Sequence, residues 1–289
     1  MTNGKLADRL IDWSFALIAI AACLLTLYPI VYILAVSFSS STEIVNNNIT
    51  FFPKGTTLAA YFKVLDMENV RNGIVNSLLY TSVGTVINLV LTTALAYALS
   101  RKRLIARKLM MLLVTIPLFF NGGMIPTYIV IFKLGLKDSM WAVILPWAVL
   151  SFYLILMKAF FEDIPEEIIE SAAIDGANDF MVFIRIILPM STTIIASIGL
   201  FYAIDNWNNF TNALLYLYKP EKFPLALVLR NLLVAEGEMA QSNNSAEEFV
   251  AREAIQSATI ILSMIPIMLV YPFLQKYFAK GIAMGALKG

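Results

Sequence analysis

Residues 166–189 read EEIIESAAIDGANDFMVFIRIILP, and the reading of this stretch decides the rest. It is charged and unlike a membrane segment, yet apolar runs flank it on both sides. Helical spacing puts Ile168, Ile169, Ala172 and Ala173 on one side of a short helix. Asp175-Gly176 then ends that helix, because glycine accepts the positive φ of a tight turn. Asn178 is placed to cap a second helix running through Phe180, Phe183 and Ile184 into the next apolar segment. The expected product is a helix–turn–helix outside the bilayer with small residues at its elbow. Small side chains let another protein come close, so the shape is that of a docking knob.

Composition sets the class around this elbow. The chain has 289 residues, 59% hydrophobic and only 14% charged, against about 25% charged in a soluble domain. A polytopic membrane protein follows, with lipid as its surroundings. The net charge of +1 gives no footprint for nucleic acid. There is no histidine, which removes the usual general base and metal ligand. The single cysteine, Cys23, lies in an apolar run and has no intrachain partner. No glycine-rich phosphate loop of the GxxxxGK[ST] type occurs, so the chain itself is not expected to bind ATP, and no cofactor is expected on it. No nucleophile–base or metal constellation points to an enzyme.

Six apolar segments are expected. The first, Trp13–Val36, follows a short polar start (1–12) and spans roughly 24 residues, enough for one crossing and longer than the core of a cleaved signal. Ser37–Gly73 reads as a polar loop. Ile74–Leu99 is the second span and carries Asn76 and Asn88. The third, Leu109–Phe132, contains Pro117, Pro126 and Asn121-Gly122-Gly123. The fourth is Met140–Phe161 with Pro146, the fifth Ile186–Ile204, and the sixth Ile255–Leu274. A long polar excursion, 206–253, separates the last two.

Orientation follows from the basic residues. Arg101, Lys102, Arg103, Arg107 and Lys108 crowd one short loop, and short basic loops stay cytoplasmic. Six spans with that loop inside put both termini and residues 162–184 in the cytoplasm. The protein is then a multi-pass component of the cell (inner, cytoplasmic) membrane.

Two clusters are candidates for the solute pathway or its gate. In the first, Asp205 stands beside Asn206, Trp207, Asn208 and Asn209; an acid at a span end is costly unless paired or wet. Tryptophan among amides suits sugars, since the ring face stacks and the amides serve hydroxyls. An indole anchored at the headgroups is the other reading of Trp207. The second cluster is Asn121, Gly122 and Gly123, which reads either as a broken helix lining the pathway or as close helix packing through glycine.

The elbow also resembles a known motif. Glu170, Ala172, Ala173, Asp175, Gly176 and Ala177, followed by Ile186, Leu188 and Pro189, are similar to the EAA loop of ABC-importer permease subunits. Ser171 stands where that family commonly has alanine, a change of little volume. The resemblance covers about 13–289 and leans toward carbohydrate importers, through Phe223-Pro224-Leu225, the Trp207-Asn208 pair and the basic, glycine-bearing tail 276–289. The stretch Phe120–Pro126 leans further, toward the branch for complex oligosaccharides and polysaccharide fragments, uronate- or pectin-derived ones included.

The resemblance implies an all-α fold of six transmembrane helices, with 13–289 as the permease domain. It implies a cytoplasmic coupling helix made by Glu170, Ser171, Ala172, Ala173, Asp175, Gly176 and Ala177. The implied partners are a second homologous permease, two ATPase subunits that hold ATP and magnesium, and an extracytoplasmic solute-binding protein facing the 206–253 loop. A stand-alone carrier would leave the elbow without a purpose, and a polyamine permease would need more acids within the spans.

Overall fold

The computed structural model describes residues 3–239 and 253–272, all of whose regular structure is helical. Three helices are long and apolar enough to cross a membrane: Ile11–Ser37, Glu68–Ser100 and Glu253–Pro272. Two bent pairs raise this to five: Met140–Trp147 with Ser151–Glu162, and Asp179–Met190 with Thr192–Trp207. The tail 276–289 and most of the polar part of the 206–253 excursion lie outside the described residues.

The described residues fall into two compact units, one drawn from 1–70 and 229–265, the other from 71–228 and 266–289. In the first, the Asn3–Ser37 helix exposes the whole of its apolar window, the pattern of a helix made for lipid or for a membrane partner. Its last turn is buried at Ala35, Val36 and Ser37. There the chain folds back: Ser37 Oγ and Tyr61 OH share a hydrogen bond of 2.9 Å, and Thr57 N donates to Phe38 O at 2.8 Å. The stretch expected as a bare polar loop, Ser37–Gly73, therefore holds two short helices, Ser41–Val45 and Ala59–Asp66, and the start of the next long one. Ala60 and Val64 give the second of these helices a buried face.

The second unit is built on the Glu68–Ser100 helix. Among its buried positions, Gly73, Ser77, Tyr80, Gly84, Asn88, Thr92 and Ala96 form a stripe that recurs every three or four residues and is mostly small or polar. In a bilayer the hydrophobic effect does not draw helices together, so close approach and hydrogen bonds do that work. A Cβ on Gly73 would lie 3.2 Å from Leu225 Cα, and one on Gly84 would lie 2.9 Å from Asn206 Nδ2. Ser77 Oγ accepts from Leu225 N at 2.8 Å. The stripe ends in an apolar core of Ala96, Tyr97, Leu154, Met157, Phe161, Ile187, Ile198 and Tyr202.

Three of the expected spans are not straight helices. Leu109–Phe132 is two helices, Arg107–Phe119 and Met124–Lys133. They part where Gly123 adopts a φ of 85° and Asn121 Oδ1 accepts from Gly123 N at 2.9 Å. The fourth bends by 52° just after Pro146, which lacks an N–H and crowds the preceding turn. The fifth bends by 81° at Ser191, after a π-turn over Phe183–Ile187 and just past Pro189, which lacks an N–H. The polar excursion also needs correction, because Phe210–Tyr216 and Leu225–Met239 are helical, with Ala213, Tyr216, Leu225, Leu227 and Val228 buried.

Candidate functional site

The elbow has the local structure its residues dictate. The first helix is Glu166–Ile174, with Glu166 and Glu167 in its first turn, where carboxylates suit the helix dipole. Asp175 closes it, and Gly176 at φ 85° makes the turn, with Ala177 N returning to Ala172 O at 2.9 Å. Asn178 caps the second helix, its Oδ1 accepting from Met181 N at 2.9 Å. No residue of the first helix is buried. Ile169, Ala172 and Ala177 lean against the core of their own unit. Glu170, Ser171, Ala173, Asp175 and Gly176 face outward. The outward apolar knobs are Ile174, 87% exposed, and Phe180, neither of which the motif named.

Ion pairs hold this elbow to the basic loop. Lys102 pairs with Glu166 at 2.7 Å, Arg103 with Asp179, and Arg107 with Glu162, which also takes Lys158 at 2.6 Å. The hydrogen bond between them raises the pKa of Lys102 and lowers that of Glu166, with the Coulomb attraction adding to both. Between loop and elbow lies an open hollow of about 1130 Å³, walled by both signs of charge and floored by Ile169, Ala173 and Val182. Its charge and depth suit a protein surface better than an apolar small molecule.

The second candidate region lies at the bends. The break after Pro146 leaves backbone groups without helical partners, and such groups must be satisfied at membrane depth. Leu150 N donates to Tyr202 OH at 3.0 Å, and Asn212 Nδ2 donates to Val143 O at 3.3 Å. Tyr202, fully buried, also shares a 2.7 Å hydrogen bond with Thr92. Tyr153 stacks on Phe201 with ring centroids 5.6 Å apart and donates to Asp205 Oδ2 at 2.9 Å.

Two cavities meet at this break. One, about 460 Å³, is lined by Asn88, Asp205, Asn206, Asn208, Asn209 and Asn212 among others, and the second, about 380 Å³, reaches Asn121 and Thr127. Trp147 and Leu150 line both. The structure thus brings Asn121 and the Asp205–Asn208 cluster to neighbouring cavities, while Gly122 and Gly123 line neither. Trp207, expected as a sugar platform or a headgroup anchor, is only 8% exposed and has its ring in the core.

A third knot orders the loop after the Met124–Lys133 helix. Asp138 sits at φ 56° and collects Tyr218 N at 3.0 Å, Lys219 N at 3.2 Å and Lys222 Nζ at 2.8 Å. These donors, Lys222 first, hold its carboxyl at a pKa of about 2. The sequence reading missed Asp138 and the Tyr202 network, because both depend on partners 52 to 110 residues away.

A helical, multi-pass membrane protein with an exposed acidic elbow and amide-lined cavities at its bends is the class that these features define. The family model for the binding-protein-dependent transport system inner membrane component matches residues 88–284, and the chain belongs to that family, the permeases of ABC importers. It is 39% identical to the polygalacturonan/rhamnogalacturonan transport system permease protein YtcP of Bacillus subtilis (strain 168), over 99% of this chain and 100% of that one. It is 41% identical to protein LplC of the same organism, over 100% and 98% of the two chains. A chain from the crystal structure of a bacterial ABC transporter involved in the import of the acidic polysaccharide alginate superposes with a TM-score of 0.86 at 31% identity, covering 94% of this chain and 98% of that one.

Proposed function

We propose that this permease carries an oligosaccharide or polysaccharide fragment, uronate-containing fragments included, and that its elbow is the helix through which ATPase subunits drive it. The observation that carries the coupling role is the exposed Glu166–Val182 elbow, turned by Gly176, clasped at its base by ion pairs and topped by Ile174. A rigid knob with an apolar tip and small neighbours fits a groove on a soluble partner, and displacement of that partner tilts the bent helices packed behind it. Glu170, Ser171, Ala172, Ala173, Asp175, Gly176 and Ala177 form the knob. The saccharide assignment rests on what the relatives are named for.

In this reading six spans cross the membrane, the two helices within 107–133 acting as one. Both termini and the 162–184 loop lie in the cytoplasm. ATP and magnesium bind two partner ATPases, a second permease completes the pathway, and an extracytoplasmic binding protein delivers the solute. The permease does no chemistry of its own. The test is purification of the tagged chain in mild detergent, followed by reconstitution of whatever assembles with it into vesicles. Recovery of an ATPase and a second permease, with ATP-dependent uptake of a labelled oligosaccharide, is the expected result. A chain recovered alone in every detergent would refute the coupling role.

A further inference from the structure

We propose that Trp147 is the stacking platform of a saccharide subsite within this subunit, and that the sugar ring it takes carries no free carboxylate. The inference rests on the saccharide reading above and specifies where and how one ring is held. Leu145–Trp147 is the tight turn that ends the first limb of the bent fourth span, so the indole stands at the edge of the break and not on a continuous helix face. It is 45% exposed, and it lines both cavities that meet there. The break is pinned by Tyr202 and Asn212, so the platform is held in place before anything binds.

The surroundings of the indole are made for hydroxyls. Asn121 stands in one cavity, and Asp205, Asn208 and Asn209 in the other. Amides donate and accept, and a carboxylate accepts from two vicinal hydroxyls at once. Asn88 gives an independent sign that something polar belongs in the second cavity. It is only 1% exposed, and its Oδ1 has no hydrogen-bond partner among the described residues. A buried amide oxygen left unpaired is costly, and a donor entering the cavity removes that cost.

The charge of the subsite sets its selectivity. Among the described residues lining the two cavities there is no lysine or arginine, and Asp205 is the one ionisable carboxylate. Tyr153 donates to one of its oxygens, which fixes the group in place. A free uronate at this position would set like charge against like charge, with no cation among the described lining residues to mediate. A neutral sugar, or a uronate masked as its methyl ester, meets no such penalty.

The experiment uses the reconstituted importer with its partner subunits and binding protein. Three labelled probes are compared: an arabino-oligosaccharide, an oligogalacturonide as the free acid, and the same oligomer as its methyl ester. In the wild type the ester is expected to be transported with the lower KM of the two galacturonides. Trp147→Ala is expected to raise KM for the best probe roughly tenfold, the scale of one lost stacking contact, with Trp147→Phe recovering most of it. Asp205→Asn is expected to narrow the gap between acid and ester. Co-purification of each variant with its partners reports folding separately. Unchanged KM in an assembled Trp147→Ala importer, or an acid preference that Asp205→Asn leaves alone, would overturn the subsite while the saccharide reading stands. Uptake of none of the probes by an assembled wild type would overturn both.

Discussion

The backbone N–H of Leu150 donates to the phenolic oxygen of Tyr202, 52 residues away in the chain. A tertiary side chain thereby replaces the helical acceptor that the Pro146 break removes. Tyr202→Phe keeps the ring and removes the acceptor, leaving Leu150 N–H and Thr92 Oγ1 to compete for nothing. We expect a loss of about 1–3 kcal/mol, the cost of a buried group left unpaired. Thermal unfolding of the detergent-purified protein measures it. Thr92→Val should cost less, because Leu150 keeps its partner, and equal losses from the two variants would refute this division.

Crowding at glycine gives a second ordering. A Cβ at Gly199 meets Leu89 Cδ1 at 2.8 Å, the tip of a side chain that can swing away. A Cβ at Gly73 comes within 3.2 Å of Leu225 Cα, and backbone does not swing. Gly73→Val is therefore expected to cost about 1–3 kcal/mol through overpacking, and Gly199→Ala distinctly less. The same unfolding assay ranks them, and the reverse order would contradict the packing described.

Acid should loosen the Asp138 knot. Its carboxyl has a folded pKa of about 2, below the ordinary 3.8. A depressed carboxylate contributes stability that is complete above the unfolded value and lost as pH falls through the folded one. The window is therefore from roughly pH 4 down to pH 2. Asp138→Asn should flatten that part of the stability profile relative to wild type. Equal slopes between roughly pH 4 and pH 2 would mean that Asp138 contributes nothing to the acid dependence.

At the elbow, Gly176 tests conformation apart from volume. No atom lies within 4 Å of a Cβ built there, so a substitution is penalised by φ alone. Asparagine tolerates the left-handed region and valine does not. Gly176→Asn should retain most ATP-driven uptake while Gly176→Val loses it, both inserting normally. Equal activity of the two would separate the turn from coupling. Ile174→Glu should likewise weaken ATPase co-purification without affecting insertion, since no neighbour in the chain depends on that exposed side chain.

Much of the elbow was legible in advance because its determinants are local. Gly176 and Asn178 act on groups within three residues, and both do what their chemistry requires. Pro146 marked an interrupted fourth span, yet its 52° bend depends on what receives the freed backbone groups, and Tyr202 and Asn212 are distant in sequence; the 81° bend of the fifth span was not foreseen. The two tryptophans show the limit most clearly. Trp207 sits among amides and looked like a binding residue, but its helix face turns inward. Trp147 sits among apolar neighbours and is the one exposed at the cavities. The buried stripe of the Glu68–Ser100 helix was invisible to hydrophobic periodicity because, Tyr80 and Ala96 apart, it is made of Gly, Ser, Asn and Thr.

The ion pairs at the elbow have a consequence for synthesis. Lys102, Arg103 and Arg107 take their partners from carboxylates 55 to 76 residues later in the chain. While the spans on either side of the basic loop are being threaded into the membrane, those carboxylates have not yet left the ribosome. The loop thus presents its full positive charge when sidedness is decided, and loses most of it once the elbow arrives. One set of residues thus carries free charge on the nascent chain and afterwards the ion pairs at the base of the elbow.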